Sequence, residues 1–151
     1  MKWQALQPGT VKCKAKDLSL RTEESLDTGF RCPQCDAANS LSIVASIELP
    51  SDSRSDEIAV QLVTCSRCAF SGAAVYEESR RGSLHSEAWD HIGYVLTSDA
   101  YLEVSRLVLS CPNPGDGNCP CDAHRILGST DETGRWVGLN AYSPRTYFSM
   151  Q

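Results

Sequence analysis

Apolar and polar residues alternate along two neighbouring stretches of the chain. Leu41, Ile43, Ala45, Ile47 and Leu49 are interleaved with Ser42, Val44, Ser46 and Glu48, and Ile58, Val60 and Leu62 with Ala59, Gln61 and Val63. Period two is the mark of a strand with one buried face. The segment from Pro50 to Glu57 is polar and rich in Ser and Asp, so the two strands read as a hairpin. Ala73 to Glu78 supplies a third short strand. Upstream, Val11, Cys13 and Ala15 alternate with Lys12, Lys14 and Lys16 after a Pro8-Gly9 turn, which predicts a half-buried strand with its lysines outward. Farther on the period changes. Tyr101, Val104 and Val108, flanked by Leu107 and Leu109, form one apolar face at helical spacing. Ser98 as N-cap, Asp99 in the first turn and Pro112 as a stop predict a helix over 99–110. The tail holds a predicted strand over 135–139. It ends with Tyr142, Tyr147, Phe148 and Met150, an aromatic terminus that either docks on the domain or binds a partner.

The cysteines fall at the joints of this pattern. Cys32-Pro33-Gln34-Cys35 precedes the hairpin and Cys65-Ser66-Arg67-Cys68 follows it. Two residues between cysteines let both sulfurs turn toward one point, and two such turns make a tetrahedral Cys₄ cage that suits Zn²⁺, with iron the other metal such a cage takes. A CxxC turn, a hairpin, a second CxxC turn and a returning strand resemble the zinc-ribbon fold group over about residues 30–78. That resemblance identifies no particular family. By analogy with such folds, Phe70 packs against the cage and Gly72 lets the chain turn away. The resemblance also implies a place in transcription or nucleic-acid machinery, though for no single residue of this chain.

A second set of donors lies in residues 111–124, CPNPGDGNCPCDAH: Cys111, Cys119, Cys121 and His124. Three thiols and one imidazole complete a Cys₃His set. His124 can join if Asp122 starts a short helix through Leu127. The loop from Cys111 to Cys119 is rich in Pro and Gly and has no apolar pattern of its own, so a metal is the expected fastener. The alternative is three unligated thiols in a mobile loop, which would oxidise readily. Trp136 and Leu139 are expected to cap this cage. Cys13 has no partner at ligand spacing. Two Zn²⁺ ions would use seven of the eight cysteines and one of the three histidines. A catalytic zinc keeps an open position for water, whereas two four-donor sets leave none.

Composition adds three constraints. With 151 residues, 41% hydrophobic and 7% aromatic, the core is modest, and bound metal would add stability that burial does not supply. No apolar run follows Met1, so neither a signal peptide nor a membrane span is expected. A cytoplasmic location follows, where thiols stay reduced and serve as ligands rather than bridges. The net charge is −5, but residues 1–21 carry Lys2, Lys12, Lys14, Lys16 and Arg21 against Asp17, a balance of +4 that leaves −9 for the rest. A phosphate-binding protein is usually basic. The basic strand with Arg80 and Arg81 is the nucleic-acid candidate; a solvated lysine face is the plainer reading of the same pattern. The fold class is therefore α+β: a zinc-ribbon antiparallel sheet, one helix and a second zinc loop. Its parts are residues 1–82 and 83–151, packed as one unit or as two small subdomains.

Little in the chain points to catalysis. His85-Ser86-Glu87 has the H-x-E form of zinc deaminases, but the PCxxC half that should follow is missing. HExxH, a P-loop and GxSxG are absent. Asp90-His91 resembles the DH step of HNH nucleases, with Asn118 and His124 as the later residues. The predicted helix intrudes between His91 and Asn118, and His124 is better used on zinc. The leading expectation is a non-catalytic zinc-binding interaction module in a larger protein assembly. Its contacts would come from the hairpin, the Glu77–Arg81 stretch and the aromatic tail. The alternatives are a nucleic-acid-binding zinc ribbon and a metal-dependent hydrolase or nuclease centred on Asp90 and His91.

Overall fold

The computed structural model describes residues 29–83, 86–144 and 146–151. The predicted strand with Cys13, Lys12, Lys14 and Lys16 lies outside them, as does His85. Strands β1 (Leu41–Leu49), β2 (Glu57–Cys65), β3 (Ser71–Ser79), β4 (Ala88–Val95) and β5 (Thr146–Ser149) form one antiparallel sheet in the order β1-β2-β3-β4-β5. Helices α1 (Ser98–Ser110) and α2 (Asp122–Leu127) and a 3₁₀ turn (Asn140–Tyr142) lie between β4 and β5 in the chain. The α+β class follows the sequence reading. The division at residue 82 falls in the β3–β4 connection, and residues from both sides of it pair in the sheet.

The hairpin forms where the alternation predicts it, with one difference. Register runs from Leu41 opposite Cys65 to Ile43 opposite Val63, then shifts so that Ala45 lies opposite Leu62. Val44 is the extra residue of a β-bulge, which turns the strand over. The apolar series 41–49 was expected to line one face. Instead Leu41 is buried in one cluster with Cys32, Val63, Phe70, Ala74 and Met150, whereas Ile47 and Leu49 enter the main core on the other face. Ile43 and Val44, at the crossover, are exposed.

The main core is a sheet face closed by the helices. Ile47, Leu49, Ile58, Val60, Leu62, Ala73 and Val75 meet Val104, Leu107 and Val108 of α1 and Ala123 and Leu127 of α2. Burying a side chain of this kind contributes roughly 1.5–3 kcal/mol. Helix α1 begins one residue earlier than predicted. Its N-cap is Thr97, whose hydroxyl oxygen accepts the N–H of Ala100 at 3.2 Å, while Ser98 is already helical. Among the described residues no helix is long and apolar enough to cross a membrane.

Two readings of the chain change. Residues 88–95, where Asp90 and His91 were read as a possible site, form β4 along β3. The predicted strand over 135–139 is a bridge of Trp136 with Thr130 followed by turns. Its backbone donors are taken by nearby turns and a distant carboxylate: Asp131 accepts the Arg135 N–H at 3.1 Å, Asp52 the Trp136 N–H at 2.7 Å and the Ser129 carbonyl the Val137 N–H at 3.0 Å, while the Leu127 carbonyl accepts the indole N–H at 2.7 Å. The aromatic terminus docks. β5 pairs with Ile92–Val95, and Phe148 lies over Gly93, where a Cβ would come within 2.1 Å of its ring.

Candidate metal centres

The first cage is built at one end of the β1–β2 hairpin. Cys32 and Cys35 sit in a turn closed by Asp36 N–H to Cys32 O at 3.0 Å, with Asp36 in the left-handed region at φ 59°. Cys65 ends β2 and is held by its N–H to Phe70 O at 3.0 Å. Within each turn a backbone N–H two residues on aims at a sulfur: Gln34 at Cys32 (3.4 Å), Arg67 at Cys65 (3.3 Å) and Phe70 at Cys68 (3.4 Å). The Sγ atoms of Cys32 and Cys68 are 3.7 Å apart, and those of Cys35 and Cys65 3.8 Å. Sulfurs at about 2.3 Å from a tetrahedral zinc stand about 3.8 Å from one another. A disulfide would need about 2.05 Å. Phe70 packs in the same cluster as Cys32, Cys65 and Cys68.

The second cage joins a loop to a helix. Cys121 is the N-cap of α2 and His124 stands in its first turn, so spacing i, i+3 brings both to one side. The loop reaches Cys119 through turns, with Asp116 N–H to Asn113 O and Cys119 N–H to Asp116 O, both 3.0 Å. Cys111 Sγ lies 3.8 Å from Cys119 Sγ, 3.5 Å from Cys121 Sγ and 3.4 Å from His124 Nδ1. His124 Nε2 is 2.8 Å from the carbonyl oxygen of Glu48. That bond puts the proton on Nε2 and turns the Nδ1 lone pair toward the sulfurs, the arrangement in which histidine binds a metal. Cys111 and Cys119 belong to the main core with Trp136 and Leu139, the residues expected to cap the cage.

In both clusters the four donor atoms lie within 4.8 Å of one another. The described cysteines are all free thiols. Their proton affinities are split. At Cys65 burial disfavours the thiolate, but the Ser40 hydroxyl, the Arg67 and Cys68 N–H groups and Cys32 outweigh it and bring the pKa down to about 6. At Cys68 the Phe70 N–H favours the thiolate, but burial and the other three thiols push it up to about 12. In the second cage the His124 backbone N–H leads in lowering Cys121 to about 6, and burial leads in raising Cys111 to about 11. So many thiolates at this separation repel each other. A dication relieves the repulsion and displaces the remaining protons. The donor type, count and spacing thus fit a divalent metal at both places.

The other candidate residues are not gathered into a site. Asp90 and His91 are neighbours on β4 and project from opposite faces. His91 Nε2 contacts Gln61 Oε1 at 2.7 Å, edge-on to Phe30 and Tyr76, and burial lowers its pKa. Asp90 is exposed, 4.0 Å from Arg54. Asn118 is exposed on the second-cage loop. Arg80 is paired with Glu57 and Glu78, both at 2.7 Å, and Arg81 with Asp56 at 2.8 Å. Two contributors had no sequence signal. Ser40 reaches Cys65 Sγ at 3.4 Å from outside either CxxC, and Glu48 acts through its backbone carbonyl, which no side-chain pattern reveals. No protein-family model matches the chain, and no curated protein or solved structure matches it.

Proposed function

We propose that this chain is a non-catalytic zinc-binding module, built on a zinc-ribbon hairpin, that serves as a subunit or adaptor in a larger protein assembly. One observation carries the reading: among the described residues, eight donors gather into two four-atom sets. Zinc with four protein ligands has no corner for an attacking water, so each ion works as a fold device. The separation of Asp90 from His91 across the sheet supports the non-enzymatic side of the proposal. Pairing of Arg80 and Arg81 with carboxylates leaves the nucleic-acid alternative resting on Lys12, Lys14 and Lys16. Exposed Trp89 and Tyr147, 66% and 63% accessible, are the aromatic types that anchor protein contacts.

Elemental analysis of the purified full chain tests the metal part, with X-ray absorption to read the shells. Two zincs per chain, one in an S₄ and one in an S₃N environment, are expected. Iron, a single ion, or a shell containing solvent oxygen would overturn it. For the partner class, binding that survives a salt titration supports an apolar protein contact, whereas steep loss with salt supports phosphate.

A further inference from the structure

The two cages differ in their relation to the core. In the second cage Cys111, Cys119 and His124 are 8%, 4% and 5% accessible and Cys121 is half-buried, so no donor there is exposed. Cys111 and Cys119 belong to the main cluster with Leu127, Trp136 and Leu139. The first cage belongs to the smaller cluster at the Cys65 end of the sheet. There Cys32 is sealed, Cys65 and Cys68 are half-buried, and Cys35 is exposed. Susceptibility of a thiolate to oxidation follows its exposure as well as its charge. A metal-bound thiolate that solvent can reach is thus the one a reagent meets first.

We infer that the first cage is an oxidation-sensitive, releasable metal site entered through Cys35, while the second cage is a permanent part of the core. The inference rests on the zinc reading above. The reagent class is a hydroperoxide. The Cys35 thiolate attacks one peroxide oxygen, the O–O bond breaks, and hydroxide leaves, giving a sulfenic acid. The Cys65 thiolate, its sulfur 3.8 Å away, attacks the Cys35 sulfur and displaces a second hydroxide. Two thiolates are oxidised to one disulfide, and hydrogen peroxide is reduced to two hydroxides, which take protons from solvent to become water. Cys32 and Cys68 alone are an incomplete set, so the ion leaves. The effect on the fold is local. The chain end rests on this cage through Arg31 N–H to Gln151 O at 2.8 Å, the Phe70–Phe148 ring contact and buried Met150. Loss of the ion loosens β5 and leaves the helix-covered face closed.

The test uses the zinc-loaded full chain, hydrogen peroxide near stoichiometric amounts, a chromogenic chelator to count released zinc, and peptide mass spectrometry. One zinc per chain is expected to leave at least tenfold faster than the other. Modification should appear first at Cys35 and Cys65, amide protection should fall in β5, and α1 should stay protected. Release of both ions at one rate, or first modification at Cys111, Cys119 or Cys121, would overturn it. A Cys35→Ser chain should lose the fast phase; should that variant not fold, the wild-type peptide map decides alone. Fewer than two zincs before oxidation takes down the zinc reading and this inference together. Two zincs of equal lability sink only this one.

Discussion

Asp52 shows how one carboxylate can hold two distant segments. It accepts the backbone N–H groups of Arg54, Ser55 and Trp136 and pairs with Arg135, which also reaches Glu77 at 2.7 Å. Its side chain is 1% accessible. Burial alone would raise its pKa, but the backbone donors and the guanidinium outweigh it and bring the value from 3.8 to about 2. A pKa depressed on folding adds stability above its unfolded value and loses it as pH falls toward the folded one. The gap corresponds to about 2 kcal/mol. Asp52→Asn should therefore lower unfolding free energy at neutral pH by about that much. The difference between the two proteins should close between roughly pH 4 and pH 2. Urea unfolding of both across that range measures it, and acid loss of metal, common to both, cancels in the difference. In the sequence Asp52 is one polar residue of a turn, because Arg135 and Trp136 lie 83 and 84 positions away and leave no local pattern.

The strands divide into those the chain announces and those it hides. β1 and β2 announce themselves by alternation, and β3 by the short run Ala73 to Glu78. The bulge at Val44 does not show, because Val44 and its neighbours are all compatible with either face and only the pairing with β2 fixes the choice. β4 is hidden by Asp90, His91 and Gly93, which interrupt its apolar positions. Gly93 makes sense only with β5 in place, since the Phe148 ring occupies the volume a side chain would take. Gly93→Val should push that ring off and free the terminal strand, at a cost of about 1–3 kcal/mol. Hydrogen exchange should show the amides of Thr146–Ser149 losing protection while β2 keeps its own. Unchanged exchange in β5 would mean that the ring contact does not hold the strand.

The described residues form a sheet with a four-donor cluster packed against each face. Seven of the eight residues in the two clusters are legible from spacing, because ligand geometry is local: two residues in each CxxC, one between Cys119 and Cys121, and two between Cys121 and His124, with Cys111 joining from eight positions upstream. What spacing cannot give is which face each cluster joins, and that is set by the bulge and by the helices. A structural zinc contributes on the order of 10 kcal/mol or more at neutral pH. A domain's whole margin is typically about 5–15 kcal/mol. Stripping both ions with excess chelator at pH 7 should therefore abolish the cooperative unfolding transition and the near-ultraviolet dichroism of Trp136. Readdition of zinc should restore both. A chain that keeps a sharp transition without metal would show that the apolar clusters suffice.

The contact between His124 and the Glu48 carbonyl carries a consequence for the order in which the molecule comes into being. A ribosome delivers Glu48 well before Cys111, so the oxygen that aims the imidazole already exists when the last donors emerge. The downstream cluster cannot be lifted out as a self-sufficient cassette: excised, it would keep every ligand and lose the peg that aims one of them.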